Sequence, residues 1–305
     1  MSAILRQLAL VSESDRVPLG DVMRVAAALQ KQASRDLAPI WEVSATVDAC
    51  ERLEDVQPGY WPMIVMDDIG ERAEGFHKDS NGQPFALITA RSDVDSWALT
   101  ASHEACEMLV DPSGNRLVPG DSPKEGQGRV EFLVEVCDPS EAAKFGYSVN
   151  GILMSDFYTP QFFDPVAASG VRYSFTGAIT EPRQVLLGGY LSWHDPVTNH
   201  WWQETWFDGP SPEFPDLGIL SANNGSIRAQ LDRLTAAQTA KAMAPGRRVA
   251  TAAGLSAAYV QESSASKAAQ WREQISALVA KAPRPGQGAA APELRRARRV
   301  QPKSD

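Results

Sequence analysis

The sequence contains few cysteines and no long apolar run. Its 305 residues include three cysteines, Cys50, Cys106 and Cys137, which are too few and too scattered for a disulfide framework. We expect them to pack as small apolar side chains, with a thiolate metal ligand from Cys106 or Cys137 as the alternative. Because no window of about 18 apolar residues occurs, the sequence predicts no transmembrane helix.

The chain also lacks an excess of basic charge. Lys and Arg number 29 against 38 Asp and Glu, which gives a net charge of −9 and a pI near 5.1. A general nucleic-acid binder needs clustered Lys and Arg to contact phosphates, so that class of protein is excluded. Residues 1–7 lack the basic start, apolar core and cleavage pattern of a signal peptide. We therefore expect a cytoplasmic location and no membrane association.

What the sequence does contain is one short segment rich in ionisable side chains. A helix is predicted from near Trp97 to about Asp111, because the residue before Pro112 is driven out of helical geometry. On this helix His103 and Glu107 share one face. Burying such groups beside apolar neighbours is costly unless a cation or hydrogen bonds compensate their charge. The pattern therefore indicates a metal site.

The same helix carries a motif similar to that of a known enzyme family. Zincin metallopeptidases have His-Glu-x-x-His on a helix, where the histidines bind the metal and the glutamate is the general base. Here His103-Glu104 is followed by Glu107 in place of the second histidine, and then by Asp111-Pro112. The segment resembles a zincin motif in the variant form His-Glu-x-x-Glu, which is associated with little-characterised bacterial and phage proteins.

This resemblance implies a fold, a cofactor and an activity. The fold is α+β, a zincin-like domain in which a twisted mixed sheet backs the active-site helix. The metal ligands are His103 and Glu107, and the cofactor is Zn²⁺, although one imidazole with carboxylates also suits other divalent ions. The activity is hydrolysis of a peptide or protein substrate by a metal-activated water, with Glu104 as the base that takes its proton.

A third protein ligand is expected from a cluster of acids downstream of the helix. The predicted strand that begins at Val130 ends in Glu135 and Asp138. We favour Asp138 as the third ligand, with Glu135 second. In the remaining alternative Asp111 turns inward as the ligand, and Asp138 orients His103 from behind.

The elements before the motif have the order expected in the upper half of a zincin fold. Apolar spacing predicts a helix over 19–34, and alternating or apolar runs predict strands over 40–47, 61–68 and 84–90. In zincins the strand before the active-site helix is the edge strand that pairs with extended peptide substrate. We expect 84–90 to be that edge strand. His77 is expected to be a surface histidine in the loop before it, with a place in the cleft as the less favoured alternative.

Two aromatic regions follow the motif. The turn at Asn150-Gly151 predicts a hairpin, after which Tyr158 is expected in the core, with stabilisation of an oxyanion at the metal as its alternative role. Residues 188–208 hold four of the eight tryptophans, which indicates either an aromatic core or a surface that binds a glycan or a protein. Metal binding by His194 or His200 is less favoured than either.

The composition divides the chain into four parts. These are an N-terminal segment (1–14), the zincin-like metal-binding domain (15–220), a helical extension (221–282) and a basic tail (283–305). The extension has alanine-rich amphipathic spacing, which predicts self-association or partner binding. The tail is rich in Arg and Pro and is expected to be disordered.

The substitution at Glu107 also motivates a non-enzymatic hypothesis. A zincin-like scaffold that lost its second histidine would be a catalytically inactive structural or interaction protein, and a phage particle is a setting for such a protein. A scaffold without a site should purify without metal and be indifferent to chelators.

Overall fold

The computed structural model describes residues 5–70, 73–80, 82–221 and 225–242. They form a mixed α+β fold with two five-stranded sheets and a separate two-stranded hairpin. The strands are β1 Leu5–Ser12, β2 Ser44–Cys50, β3 Trp61–Met66, β4 Gly75–Ser80, β5 Gln83–Thr89, β6 Leu117–Asp121, β7 Arg129–Leu133, β8 Tyr147–Val149, β9 Ile152–Met154, β10 Gly189–Asp195, β11 His200–Trp206 and β12 Asp216–Gly218. The helices are α1 Leu19–Lys31, α2 Ala38–Trp41, α3 Val94–Val110 and α4 Ile227–Ala242.

The first sheet has the order β2-β1-β3-β5-β4. Four of its strands are parallel, and β4 runs antiparallel to β5 at one edge. β1 lies inside the sheet, and its apolar run Leu8–Val11 is fully buried, as is typical of a parallel strand covered on both faces. The sequence analysis predicted no strand in the segment 1–14 that contains β1.

The helix predicted over 19–34 is present as α1, which buries Val22, Val25 and Leu29 against the sheet. The strand predicted over 40–47 begins later, at Ser44, because α2 occupies 38–41. Glu42 then adopts a left-handed conformation, with φ of 55°, and ends that helix. Apolar side chains in a four-residue helical turn and in a short strand give the same sequence pattern, which explains the difference.

The predicted edge strand over 84–90 corresponds to β5, but β5 lies between β3 and β4. The edge is β4, in a segment that the sequence analysis assigned to a loop. His77 on β4 was expected at the surface and is 1% exposed. An edge strand leaves one row of backbone N–H and C=O groups unpaired, but other elements can still pack over both of its faces. Here α3 packs over β4 and β5 and buries the histidine.

The motif helix α3 is fixed at both ends and along its length. The Asp93 carboxylate accepts a hydrogen bond from the backbone N–H of Ser96 at 3.0 Å, which is a standard N-terminal cap. The helix ends before Pro112, as predicted. The hydroxyl of Ser102 accepts a hydrogen bond from the backbone N–H of Ser155 at 2.7 Å, so α3 is tied to the chain that leaves β9.

The second sheet is antiparallel, with the order β12-β11-β10-β7-β6. The tryptophan-rich region forms its β10–β11 hairpin. Trp193 is fully buried and its ring lies 6.1 Å from that of Phe132, so this tryptophan belongs to the core. The Asn150-Gly151 turn joins β8 to β9 as predicted, with both residues at positive φ.

Of the predicted helical extension, the structure describes α4. Residues 222–224, residues 243–282 and the whole tail 283–305 lie outside the described residues. Among the helices that the structure does describe, none has both the length and the apolar character required to span a membrane. α4 begins beside the turn that follows α3, because the backbone N–H of Ile227 donates to Asn115 Oδ1 and that of Arg228 donates to Gly114 O.

Candidate metal centre

His103 and Glu107 meet on the buried side of α3, one helical turn apart. His103 Nε2 lies 3.3 Å from Glu107 Oε1 and 3.2 Å from Asp138 Oδ1. Ligands of a tetrahedral zinc ion at about 2.0–2.1 Å are about 3.3 Å from one another, whereas charge-assisted hydrogen bonds are about 2.7–2.9 Å long. The spacing of these atoms therefore fits a small divalent cation.

Asp138 is held in place by the backbone around it. Its segment follows β7, and the backbone N–H of Cys137 donates to Glu107 Oε1 at 3.2 Å. On the other side, Gly189 at the start of β10 lies so close that an added Cβ would be 2.5 Å from the Asp138 carbonyl oxygen. The close approach of β10 thus fixes the position from which Asp138 reaches His103.

Glu104 points to a different neighbour. Its Oε2 lies 3.3 Å from Nδ1 of His77, which reaches across from β4. Both side chains are buried. The sequence analysis named Glu104 as the general base but did not connect it with His77.

The least expected member of the cluster is Arg228 from α4. Its Nη1 lies 2.5 Å from Glu135 Oε2, 3.1 Å from Glu107 Oε2 and 3.5 Å from Asp138 Oδ2. Its Nε pairs with Asp232, one turn further along α4, at 2.8 Å. A single guanidinium from the helical extension is therefore surrounded by four carboxyl groups.

In three groups of described side chains, the potential ligand atoms all lie within 4.8 Å of one another and could hold a metal ion. The groups are His103–Glu107–Cys137, His77–Glu107–Glu135 and His103–Asp138–Glu141. The predicted set of His103, Glu107 and Asp138 is not one of these groups, since His103 is grouped with Glu107 or with Asp138 but not with both. Cys137 is a free, buried thiol, and its Sγ lies 3.7 Å from the carbonyl oxygen of His103.

The charges in the cluster shift the pKa values of its members in opposite directions. Burial lowers the pKa of His103, but the carboxyl groups of Glu107 and Asp138 outweigh it and raise that pKa well above its ordinary value of 6.5. Burial raises the pKa of Glu107, yet His103 and Arg228 hold it well below 4.5. Burial and the neighbouring Glu107 raise the pKa of Asp138 to about 6.

Carboxyl groups outnumber the basic groups in this cluster. Among the described residues, the basic partners of these carboxyl groups are His77, His103 and Arg228, and the carboxyl groups are those of Glu104, Glu107, Glu135, Asp138 and Asp232. Burial and this crowding raise the pKa of Glu135 well above 4.5, although Arg228 opposes the shift. A buried excess of negative charge favours an additional cation, which would keep these groups ionised.

Several buried polar atoms here have no hydrogen-bond partner among the described residues. They include His77 Nε2, Glu135 Oε1, Asp138 Oδ1, Asp232 Oδ2 and the hydroxyl oxygen of Tyr158. Burial, Glu135 and Glu107 together raise the pKa of Tyr158 well above its ordinary value of 10, so its hydroxyl lies near the carboxyl groups. Unpartnered buried polar atoms are rare in native proteins and often mark a missing ion or water.

Other candidates named from the sequence lie elsewhere. The Asp111 carboxylate accepts a hydrogen bond from the backbone N–H of Arg116 at 2.7 Å and belongs to none of the three groups. His194 pairs with Glu131 and Asn199, and His200 pairs with Asp216. These side chains already have local partners.

Sequence reasoning missed His77 and Arg228 for different reasons. His77 lies in a strand whose sequence is polar, and its burial depends on α3 packing over it. Arg228 had a weak signal, because it shares one face of α4 with the buried Leu231 and Thr235 at spacings of three and seven residues. A charge on an apolar helical face predicts a buried ion pair.

Comparison of the chain with known protein families, curated proteins and solved structures finds no match.

Proposed function

We propose that the chain is a divalent-metal-dependent hydrolase, with Zn²⁺ as the first metal to test and peptide bonds as the substrate class. The observation that carries this proposal is the convergence of His103 with Glu107 and Asp138, at separations of 3.3 and 3.2 Å, in a buried cluster with excess carboxyl groups. One imidazole and two carboxylates make an accepted zinc site that other divalent ions also suit.

The residues around the ligands suit a hydrolytic role. A divalent ion held by His103, Glu107 and Asp138 would supply Lewis-acid activation of water and of a peptide carbonyl. Glu104 accepts the proton of the attacking water and returns it to the leaving amine. His77 holds Oε2 of Glu104 at 3.3 Å and acts as a positioning residue for that carboxyl group.

The position of β4 supports peptides as the proposed substrate class. Within the described residues β4 pairs only with β5, so its other edge is open to an extended peptide strand. A peptide paired with β4 would run beside the strand that carries His77, close to Glu104. Together with the parallel sheet and α3 packed across it, this supports a zincin-like arrangement.

A second candidate function is structural. Glu107 and Asp138 are 0% and 2% exposed, and Arg228 of α4 is 5% exposed, so two of the proposed ligands and the arginine beside them are shielded from solvent. A metal bound there without turnover would join α3 to the Asp138 segment, as structural metal sites do in folding. This favours an inactive, zincin-like structural or interaction protein, with assembly into a phage particle as one setting.

The first experiment is elemental analysis of protein purified without a metal-affinity tag. Wild type is compared with His103→Ala and with a matched control, His200→Ala, which removes a histidine paired with Asp216 away from the cluster. We expect about one ion per chain in wild type and in the control, and none in His103→Ala. Absence of metal from wild type, even after incubation with Zn²⁺, would overturn the proposal.

Activity distinguishes the two candidate functions. The metal-loaded chain is incubated with a quenched fluorescent peptide library, with and without a chelator. Cleavage that the chelator abolishes supports the hydrolase. Metal retention without cleavage supports the structural role.

A further inference from the structure

Glu107 presents its two oxygens to two different histidines. Oε1 lies 3.3 Å from His103 Nε2, and Oε2 lies 3.7 Å from His77 Nδ1. The two histidines belong to different elements, since His103 is on α3 and His77 is on β4. The Glu107 carboxylate therefore stands between two imidazoles, in the position of a bridging ligand.

Two of the three groups of ligand atoms share no residue. One set is His103 with Asp138 and Glu141, and the other is His77 with Glu107 and Glu135. Each contains one imidazole and two carboxyl groups, a combination that divalent ions of intermediate hardness accept. Glu107 also reaches His103, so a pair of ions could share it.

In the structure Arg228 places its positive charge in the second set. Nη1 lies 2.5 Å from Glu135 Oε2 and 3.1 Å from Glu107 Oε2. Asp232 pairs with the Nε of the same guanidinium, which ties the arginine to its own helix. The guanidinium thus supplies at this position the positive charge that a metal ion would otherwise supply.

We propose that the cluster contains a second cation position, formed by His77, Glu107 and Glu135, for which Arg228 of α4 and a divalent metal ion compete. This inference rests on the proposed function for the first position, at His103, Glu107 and Asp138. When Arg228 is in place the centre holds one ion, and withdrawal of α4 opens the position for another. The helical extension is then a regulator of the metal centre.

Two further observations support a ligand at this position. Glu135 Oε1 and the Tyr158 hydroxyl are buried and make no hydrogen bond to any residue that the structure describes. Glu135 belongs to the second set, and Tyr158 is held next to Glu135 in the fold, because its backbone N–H donates to the carbonyl oxygen of Val136 at 2.7 Å. The guanidinium therefore leaves polar groups around it unsatisfied.

The test is the number of Zn²⁺ ions bound per full-length chain. Apo protein is equilibrated with Zn²⁺ alone, dialysed and analysed by mass spectrometry, and the titration is repeated by calorimetry. Arg228→Met removes the competing charge but keeps an unbranched side chain. Arg233→Met, at an exposed position on the same helix, is the matched control. We expect one ion in wild type and in Arg233→Met, and two in Arg228→Met.

A double variant locates the second ion. Arg228→Met combined with His77→Ala should return to one ion, because the second position loses its imidazole. One ion in Arg228→Met would overturn this inference and leave the proposed function standing. A second ion that binds wild type and Arg228→Met with equal affinity in the calorimetric titration would also overturn it, since Arg228 would then not compete. No ion in wild type or in any variant would instead mean that the proposed function itself fails.

The proposal can still be tested if the Arg228→Met variant is unstable. If Arg228→Met does not fold without metal, Arg228→Gln retains hydrogen-bond donors for Glu135 and Glu107 while removing the charge, and the same stoichiometry of two is expected. Wild type supplies an independent measurement, because excess Zn²⁺ should expel Arg228 and increase hydrogen exchange in 227–235. If hydrogen exchange in 227–235 is unchanged up to a 100-fold excess of Zn²⁺, Arg228 and Zn²⁺ do not compete for the position.

Discussion

His77 Nδ1 on β4 lies 3.3 Å from Glu104 Oε2 on α3. This contact joins the edge strand of the first sheet to the residue that we propose as the general base. Desolvation lowers the pKa of His77, but the hydrogen bond and charge of Glu104 outweigh it, so the pKa is raised above 6.5. Glu104 thus favours the charged form of His77.

If His77 positions Glu104, then His77→Phe should lower kcat and leave KM for a peptide substrate nearly unchanged. The phenyl ring fills the same space but cannot donate to the carboxyl group. Loss of a group that orients a site residue typically costs about 10–100-fold. The measurement is steady-state kinetics of the zinc-loaded chain, with His194→Phe as the control. An equal fall of kcat in both variants would argue against a positioning role.

Glu104→Gln separates chemistry from metal binding. The amide keeps the size of the side chain and can still bond to His77, but it cannot accept a proton from water. We expect full metal content by elemental analysis and a loss of hydrolysis of at least 100-fold. A variant that binds metal and hydrolyses peptide at the wild-type rate would show that another group is the base.

Asp111→Ala discriminates between the alternative third ligands. The Asp111 carboxylate accepts the backbone N–H of Arg116 at 2.7 Å and lies at the C-terminal end of α3, so its loss should destabilise the fold by about 1–2 kcal/mol. Metal content should be unchanged. In contrast, Asp138→Asn should weaken metal binding at least 10-fold with a smaller effect on the apo protein. Loss of metal from Asp111→Ala while Asp138→Asn keeps it would reverse this assignment.

The parts of the centre that could be predicted from the sequence are those carried by local spacing. His103, Glu104 and Glu107 lie within five residues of one helix, so helical periodicity alone places them, and the turn before Pro112 follows from proline sterics. His77 and Arg228 could not be placed, because each reaches the cluster through contacts between residues far apart in the chain. The edge position of β4 likewise depends on strand order, which a single sequence leaves open.

Gly189→Ala should weaken the metal centre, although Gly189 is not one of the proposed ligands. An added Cβ would lie 2.5 Å from the Asp138 carbonyl oxygen and 2.6 Å from that of Pro139, so backbone rather than a flexible side chain must move. We expect a loss of stability of about 2–3 kcal/mol together with weaker metal binding. The control is Gly20→Ala in α1, where no atom lies within 4 Å of the added Cβ and helix propensity should add up to about 1 kcal/mol. Equal effects of the two changes on metal affinity would show that the backbone contact between Gly189 and Asp138 does not influence metal binding.

Glu204 on β11 gives a pH dependence that is independent of the metal centre. Its side chain is buried, and desolvation raises its pKa from 4.5 to about 7. Since the folded state then holds a proton that the unfolded state releases, this group lowers stability progressively as the pH rises from about 4.5 to 7. Its penalty is complete above pH 7, and by linkage it is at most about 3 kcal/mol.

Glu204→Gln should therefore raise the free energy of unfolding at pH 8 and leave it nearly unchanged at pH 4. Urea denaturation of the metal-free chain at the two pH values measures this difference. Glu213→Gln, an exposed glutamate whose backbone pairs with Thr205, controls for loss of a negative charge. A gain that is equal at pH 4 and pH 8 would mean that the amide stabilises β11 by hydrogen bonding and that the buried carboxylate carries no such penalty.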